Sequence, residues 1–338
     1  HVMDNVHSIM SGAAAKFSLS QFELITELIE SRWKVSNDRI REKLLVLIGQ
    51  IGKEAKQIKS TQRILQLLWD VSHLNDLPKH LVERALEEHL SILNELNVNR
   101  DPMRKAYVLK CVEDIKNRKD CLLPAVKQLH AICKSYCKGG SSIYHKPDKS
   151  TLGELNKQHE IVKLLSMSLR YSHEKAVSAA GAMALTSDTI VDGRYSHSEF
   201  IDGHLDLMKF FLKEGDLYLS WARCREVWET LVDNSAAIEY DKECCFDWFK
   251  SCMVDLELET QREMFAQKLL KIPPKDVSFK CFHCLRVFFE YINSADSNLK
   301  KNPNTAKVSL LVTDCPFRGN DLKQFSFAGG RKNGTLRA

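Results

Sequence analysis

The sequence predicts an all-α fold built from paired amphipathic helices. Three observations predict it. Apolar residues recur with a helical period along most of the chain, and no alternating run exceeds a few residues. Glycine and proline are sparse, 14 and 8 in 338 residues, which is poor punctuation for a many-stranded sheet. Hydrophobic residues make up 44% of the chain, enough to bury a sizeable core.

The helices follow in order. The first is expected near 19–33, opened by a capping box of Ser20 and Glu23 that ties up two free N–H groups. Phe22, Ile25, Leu28 and Ile29 line its face. The second, near 37–53, carries Ile40, Leu44, Leu47, Ile48 and Ile51; the third starts at Ser60 and carries Ile64, Leu67, Leu68 and Val71. The fourth starts at Pro78, a residue favoured in a first turn. Its stripe is Leu81, Val82, Ala85, Leu86, His89, Leu90 and Leu93. Asp101, ahead of Pro102, caps the fifth, which presents Ala106, Leu109, Val112 and Ile115. The sixth, near 121–137, contains Leu122, Val126, Leu129, Ile132 and Cys133.

Residues 138–150 cluster Gly, Ser, Pro and Lys and read as a loop. One long helix is expected over 151–176, then a second loop over 186–198. Helices follow near 198–214, 220–234, 241–254, 258–270 and 275–293. The second of these places Trp221, Cys224, Trp228 and Leu231 on one face; the last carries Phe279, Phe282, Phe288, Phe289 and Tyr291. Short links between successive helices favour hairpins packed side by side. A helical pair of about 35–45 residues is the unit of armadillo- and HEAT-like α-solenoids. No strict internal repeat is present, so the array is expected to be irregular; a compact helical bundle is the structural alternative. The expected organisation is a first half over 1–137, the loop 138–150, a second half over 151–295, and a disordered basic tail over 296–338.

Composition excludes several function classes. The net charge is +5, but from Lys300 onward there are eight basic and two acidic residues. The remainder holds 41 basic and 42 acidic side chains, interleaved as on ordinary solvated helix faces. No clustered basic surface for nucleic acid is therefore expected, and no run of about 18 apolar residues suggests a membrane span. The start, HVMDNVHSIM, lacks a signal-peptide pattern and a leading Met, which suggests a piece of something longer. The 11 cysteines are an odd number, and Cys111, Cys133, Cys224, Cys252 and Cys281 sit in apolar stretches. That usage suits buried thiols in a reducing, cytoplasmic setting.

Candidate chemistry is thin. Cys281 and Cys284 form a C-x-x-C with His283 between them, but a zinc site commonly needs two such pairs. Cys244, Cys245 and Cys252 fall on a different helix. At helical spacing the two thiols share a face beside Phe282 and Leu285, so core packing is the expected role. A zinc- or thiol-dependent enzyme would rest on this pair alone. The 12 histidines are scattered; His73, His80 and His89 have acidic neighbours, and no HEXXH occurs. No glycine-rich phosphate loop is present; Gly139-Gly140 lacks the following Lys. Trp33, Trp69, Trp221, Trp228 and Trp248 lie on apolar stripes and are expected in the core.

Several stretches carry a family resemblance. REKLLVLIGQIGKE (41–54), ILQLLWDVSHLNDLP (64–78) and RYSHSEFIDGHLDLMKFFLKEGDLYLSW (194–221) resemble the armadillo-like region of the very large fat-facets-type ubiquitin-specific proteases. KECCFDWF (242–249) and KCFHCLRVFFEYIN (280–293) continue the match in the same order, so it covers roughly 1–295. The resemblance implies a segment N-terminal to a deubiquitinase catalytic domain. The family's N-x-G-x-T-C-Y-type Cys box and its Gly-rich His box have no counterpart here, so no catalytic residue carries over, and no cofactor or metal ligand is assigned. The tail after about residue 300 departs from the family, which would continue with further helices. The implied role is a scaffold whose partners are proteins, either ubiquitinated substrates or adaptors of the parent enzyme. The alternative from another class is a free-standing adaptor with no enzyme attached.

Overall fold

Paired helices do build the chain. The computed structural model describes residues 2–95, 101–137 and 149–300. Most of the expected 138–150 loop, and the tail beyond Lys300, lie outside the described residues. Packing divides the chain into two compact units, His1–Asp255 and Leu256–Ala338.

The first unit contains α1 (Val2–Ala14), α2 (Leu19–Val35), α3 (Asp38–Glu54), α4 (Ile58–Ser72), α5 (Lys79–Leu93) and α6 (Asp101–Lys116). It continues with α7 (Leu122–Cys137), α8 (Lys149–His159), α9 (Ile161–Ala180), α10 (His197–Glu214), α11 (Trp221–Leu231) and α12 (Glu239–Cys252). The second unit contains α13 (Leu258–Gln267) and α14 (Phe279–Lys300). No strand occurs among the described residues; an isolated antiparallel bridge joins Ile190 and Ser196. No helix there is long and apolar enough to cross a membrane.

Within the first unit the contacts follow the logic of stacked hairpins. Many helices pack on a neighbour in sequence, and many also on a helix two or three places along. Thus α3 packs on α5, α5 on α7, α7 on α10 and α10 on α12, forming one layer. In the other layer α2 packs on α4, α6 on α9 and α9 on α11. A repeat of this kind buries its apolar stripe only by stacking on the next. Helices on the two sides of residues 138–148 join the same stack, since α6 and α7 pack on α9 and α10.

Two glycines permit the closest approach in the first layer. A β-carbon at Gly52 would lie 2.4 Å from Ile92 Cδ1 and 3.0 Å from Ile64 Cγ2, and one at Gly49 would collide with Glu88. Glu88 is buried on α5 and meets Lys53 and Arg84 at 3.7 Å. Replacing Gly52 by Leu is expected to push α3 off α5 and cost about 1–3 kcal/mol, read by urea unfolding. Unchanged stability would mean that the two helices are free to separate.

Several elements differ from the sequence reading. The α2 capping box uses Ser18 and Gln21, not Ser20 and Glu23, so the helix starts earlier in register. On α2 Leu28 is exposed and Thr26 is buried; Thr26 Oγ1 donates to the Phe22 carbonyl, which lets a polar residue sit inward. On α6 the inward face is Met103, Tyr107, Val108, Cys111, Val112 and Ile115, while Ala106 and Leu109 point out. The helix is rotated so that Tyr107 can join the rings of Trp69 and His89, at 5.3 and 4.3 Å between centroids. The expected single helix over 151–176 is two, broken at Glu160 with φ of 49°. Asn156 Oδ1 accepts the Val162 N–H across the break, compensating the interrupted ladder. On α14 Phe279 is exposed and Phe288 buried, so the aromatic run straddles two faces.

Candidate functional site

A cleft of about 340 Å³ lies between α2 and α4 and is lined by Leu19, Phe22, Glu23, Thr26, Lys59, Ser60, Arg63 and Ile64. Leu24, Leu28, Val35 and Ile58 on the same two helices or just past their ends are exposed.

The residues singled out in the sequence fall as follows. Cys281 and Cys284 are fully buried on the α14 face that also carries Leu285 and Phe288. His283 between them is half-buried and stacks on Phe279. Trp69, Trp228 and Trp248 are buried as expected. Trp33 and Trp221 are only half-buried, which corrects the core reading for those two. Trp33 instead lies under the Arg41 guanidinium, at 5.4 Å. His80 is exposed. His89 is fully buried among Trp69 and Tyr107, and burial, with Lys110 nearby, pulls its pKa down to about 3. Gln128 Nε2 donates to its Nδ1 at 2.9 Å, consistent with a neutral ring.

Two polar clusters went unseen in the sequence. The first links His173 on α9, His197 on α10 and Asp241 on α12, all essentially sealed from solvent. His197 Nε2 lies 2.7 Å from Asp241 Oδ1 and His173 Nε2 lies 3.1 Å from Oδ2, which also accepts the Ile238 N–H at 3.0 Å. Asn234 uses its oxygen on the Ala236 N–H, so its amide nitrogen faces His173 Nδ1. That assigns the proton on His173 to Nε2. Three N–H groups therefore converge on one carboxylate in the first turn of α12, where the helix terminus favours negative charge. Burial alone would raise the Asp241 pKa; the hydrogen bonds from His173 and His197 and the Ile238 N–H outweigh it and hold it at about 2.

The second cluster joins His73 at the end of α4, Asp114 on α6 and Cys121 just before α7. His73 Nδ1 faces the Trp69 carbonyl at 2.7 Å and Nε2 faces Asp114 Oδ2 at 2.9 Å. Burial disfavours charge on this ring, but Asp114 and Cys121 outweigh it and raise its pKa to about 9. Lys119 holds the other Asp114 oxygen. The thiol and the carboxylate lie on the same side of the imidazole. A thiol nucleophile needs its base between it and the orienting carboxylate, so this is no cysteine-hydrolase relay.

A surface ion cluster ties three stacked helices. Lys79 on α5 meets Glu199 on α10 at 2.8 Å, and Lys127 on α7 meets Glu83 and Glu199 at 3.2 and 3.3 Å. Both ammonium groups sit over the fully buried ring of Tyr195, at 5.3 and 4.6 Å. These groups neutralise one another and form a seam between repeats.

Hairpins stacked in two layers, with polar groups spent on holding helices together, define an armadillo-type helical-repeat protein. Residues 1–293 match the model of the UBP24/USP9X/USP9Y ARM repeat. The chain belongs to that family. It is 39% identical over 323 residues to ubiquitin carboxyl-terminal hydrolase 24 of Mus musculus, covering 89% of this chain and 12% of that protein. The Homo sapiens counterpart is 38% identical over the same length. The probable ubiquitin carboxyl-terminal hydrolase FAF of Drosophila melanogaster is 28% identical over 313 residues, 88% of this chain and 11% of that protein. The chain thus spans about an eighth of the length of the curated relatives it matches. The similarity covers the repeat region, in agreement with the resemblance in the sequence.

Proposed function

We propose that this chain is the non-catalytic scaffold segment of a cytoplasmic ubiquitin carboxyl-terminal hydrolase, holding protein substrates or adaptors in reach of a catalytic domain elsewhere in the polypeptide. The observation that carries the reading is the family match over residues 1–293, within relatives whose names describe ubiquitin hydrolases and of which it covers about an eighth. Stacked helical repeats offer long surfaces for protein partners. The exposed apolar residues Leu24, Leu28 and Val35 on α2 and Ile58 on α4 are of the kind that mark such contacts. The cysteines are consistent with a non-catalytic role. Burial raises the pKa of Cys111, Cys224 and Cys252, with neighbouring ionisable groups contributing, and a nucleophilic thiol needs the opposite shift.

The isolated chain is therefore expected not to react with a ubiquitin-based active-site probe. Deleting residues 1–293 from the full-length enzyme should spare cleavage of a small ubiquitin conjugate and slow cleavage of a folded protein conjugate. Labelling of the isolated chain, abolished by one Cys→Ala change, would overturn the reading. So would equal loss of both cleavage activities.

A further inference from the structure

We propose that His73, Asp114 and Cys121 form a binding site for one divalent transition-metal ion, zinc by the chemistry of its donors. The three residues come from three places in the stack, and one ligand atom from each lies within 4.8 Å of the others. Zinc bonds of about 2.0–2.3 Å place tetrahedral ligands roughly 3.3–3.7 Å apart. His73 Nε2 and Asp114 Oδ2, now 2.9 Å apart, need to open by about half an ångström.

The surroundings orient these atoms as a metal site requires. The Trp69 carbonyl behind His73 accepts from Nδ1 at 2.7 Å, which fixes the proton there and aims Nε2 into the cluster. A backbone carbonyl behind the ring is a usual outer-shell partner of a ligating histidine. Lys119 occupies Asp114 Oδ1, leaving Oδ2 to the centre. Between α6 and α7 the chain turns through Arg118 in the left-handed region, φ 54°, and Lys119 N–H donates to the Asp114 carbonyl at 3.2 Å. That turn returns Cys121 to the end of α6. Asp114 and Cys121 are buried while the His73 side chain is 18% exposed, so the centre has an open edge for entry and for a water as fourth ligand.

Charge and softness select the ion. A thiolate and a carboxylate neutralise a dication, with the imidazole neutral; the displaced protons of thiol and imidazolium go to solvent on binding. Thiolate and imidazole favour zinc over magnesium or calcium. The rival cluster of His173, His197 and Asp241 is fully sealed, and no backbone carbonyl backs either ring among the described hydrogen bonds. Its carboxylate is already filled by three N–H groups. The proposed ion would clamp α4, α6 and α7, and this holds whether or not the segment serves a hydrolase.

The test is a cobalt(II) titration of the full 338-residue chain stripped with chelator. Near-ultraviolet thiolate-to-cobalt absorption should rise to one equivalent and vanish on adding zinc. Cys121→Ser should abolish it, and His73→Gln should weaken cobalt binding at least tenfold. The double change Cys281→Ser, Cys284→Ser should leave it intact. Circular dichroism checks that each variant is folded; should Cys121→Ser not fold, His73→Gln, at the less buried edge of the cluster, decides by its affinity. No absorption in the folded wild-type chain would mean an ion-pair cluster only and overturn the proposal. Absorption surviving in Cys121→Ser, or unchanged affinity in His73→Gln, would overturn it too.

Discussion

Replacing Asp241 by Ala is expected to lower the unfolding free energy of the first unit by about 3–5 kcal/mol. The carboxylate is the common acceptor for His173, His197 and the Ile238 N–H, at 3.1, 2.7 and 3.0 Å. Its removal leaves two imidazole N–H groups buried without an acceptor and uncaps α12. Each such orphan costs its full desolvation, about 1–3 kcal/mol. Because the three residues sit on α9, α10 and α12, the loss loosens both layers of the stack together.

The same carboxylate gives an acid dependence of known sign. Its folded pKa of about 2 lies below the unfolded carboxyl value near 3.8. The stability it contributes is therefore fully present above about pH 4 and is lost as the pH falls through about 2. A shift of that size corresponds to roughly 2 kcal/mol. Urea unfolding at a series of pH values from about 6 to 2 should show this drop in the wild type. The drop should be smaller by that amount in Asp241→Ala. Identical acid profiles would show that the Asp241 pKa is not lowered in the folded chain.

Trp228→Ala is expected to cost a comparable amount, about 3–5 kcal/mol. The indole on α11 is 1% exposed and packs edge-on to Phe246 and at a tilt to Phe249 on α12, with centroids 5.7 and 6.0 Å away. Its Nε1–H donates to Asp233 at 2.9 Å, so truncation opens a large cavity and also removes this hydrogen bond. Trp33→Ala is the matched control. That ring is half-buried under Arg41, and its loss should cost about 1 kcal/mol, the range of a surface cation–π contact. Equal unfolding midpoints for the two variants would show that the α11–α12 contact is not a core.

Much of the helical layout was legible in the sequence because a helix buries a stripe whose period is local. Leu81, Val82, Ala85, Leu86 and Leu93 on α5 were read as one face and are all buried. Boundaries and facing were less legible where side chains compete for the same role. Ser18 and Ser20 both offer a hydroxyl ahead of an apolar run, and only the position of Gln21 against Ser18 settles which one caps. Helix α1 was not anticipated, since VMDNVHSIMSGAA mixes polar and apolar residues without a clear stripe. The break at Glu160 carries no Gly or Pro to mark it.

The sequence by itself determined the class: helical hairpins, a charge-balanced body, and a family whose stretches recur in order from 41 to 293. All of these depend on residues near one another in the chain, or on their order. Only the tertiary structure decided which polar residues meet. His73 and Asp114 are 41 residues apart, and His173 and His197 stand 68 and 44 residues from Asp241. Whether such distant residues meet is set by how α4 aligns with α6, and α9 and α10 with α12. No local period encodes such an alignment. It follows from the apolar stripes stacking first, after which a buried carboxylate is tolerable only where N–H groups from neighbouring helices converge on it.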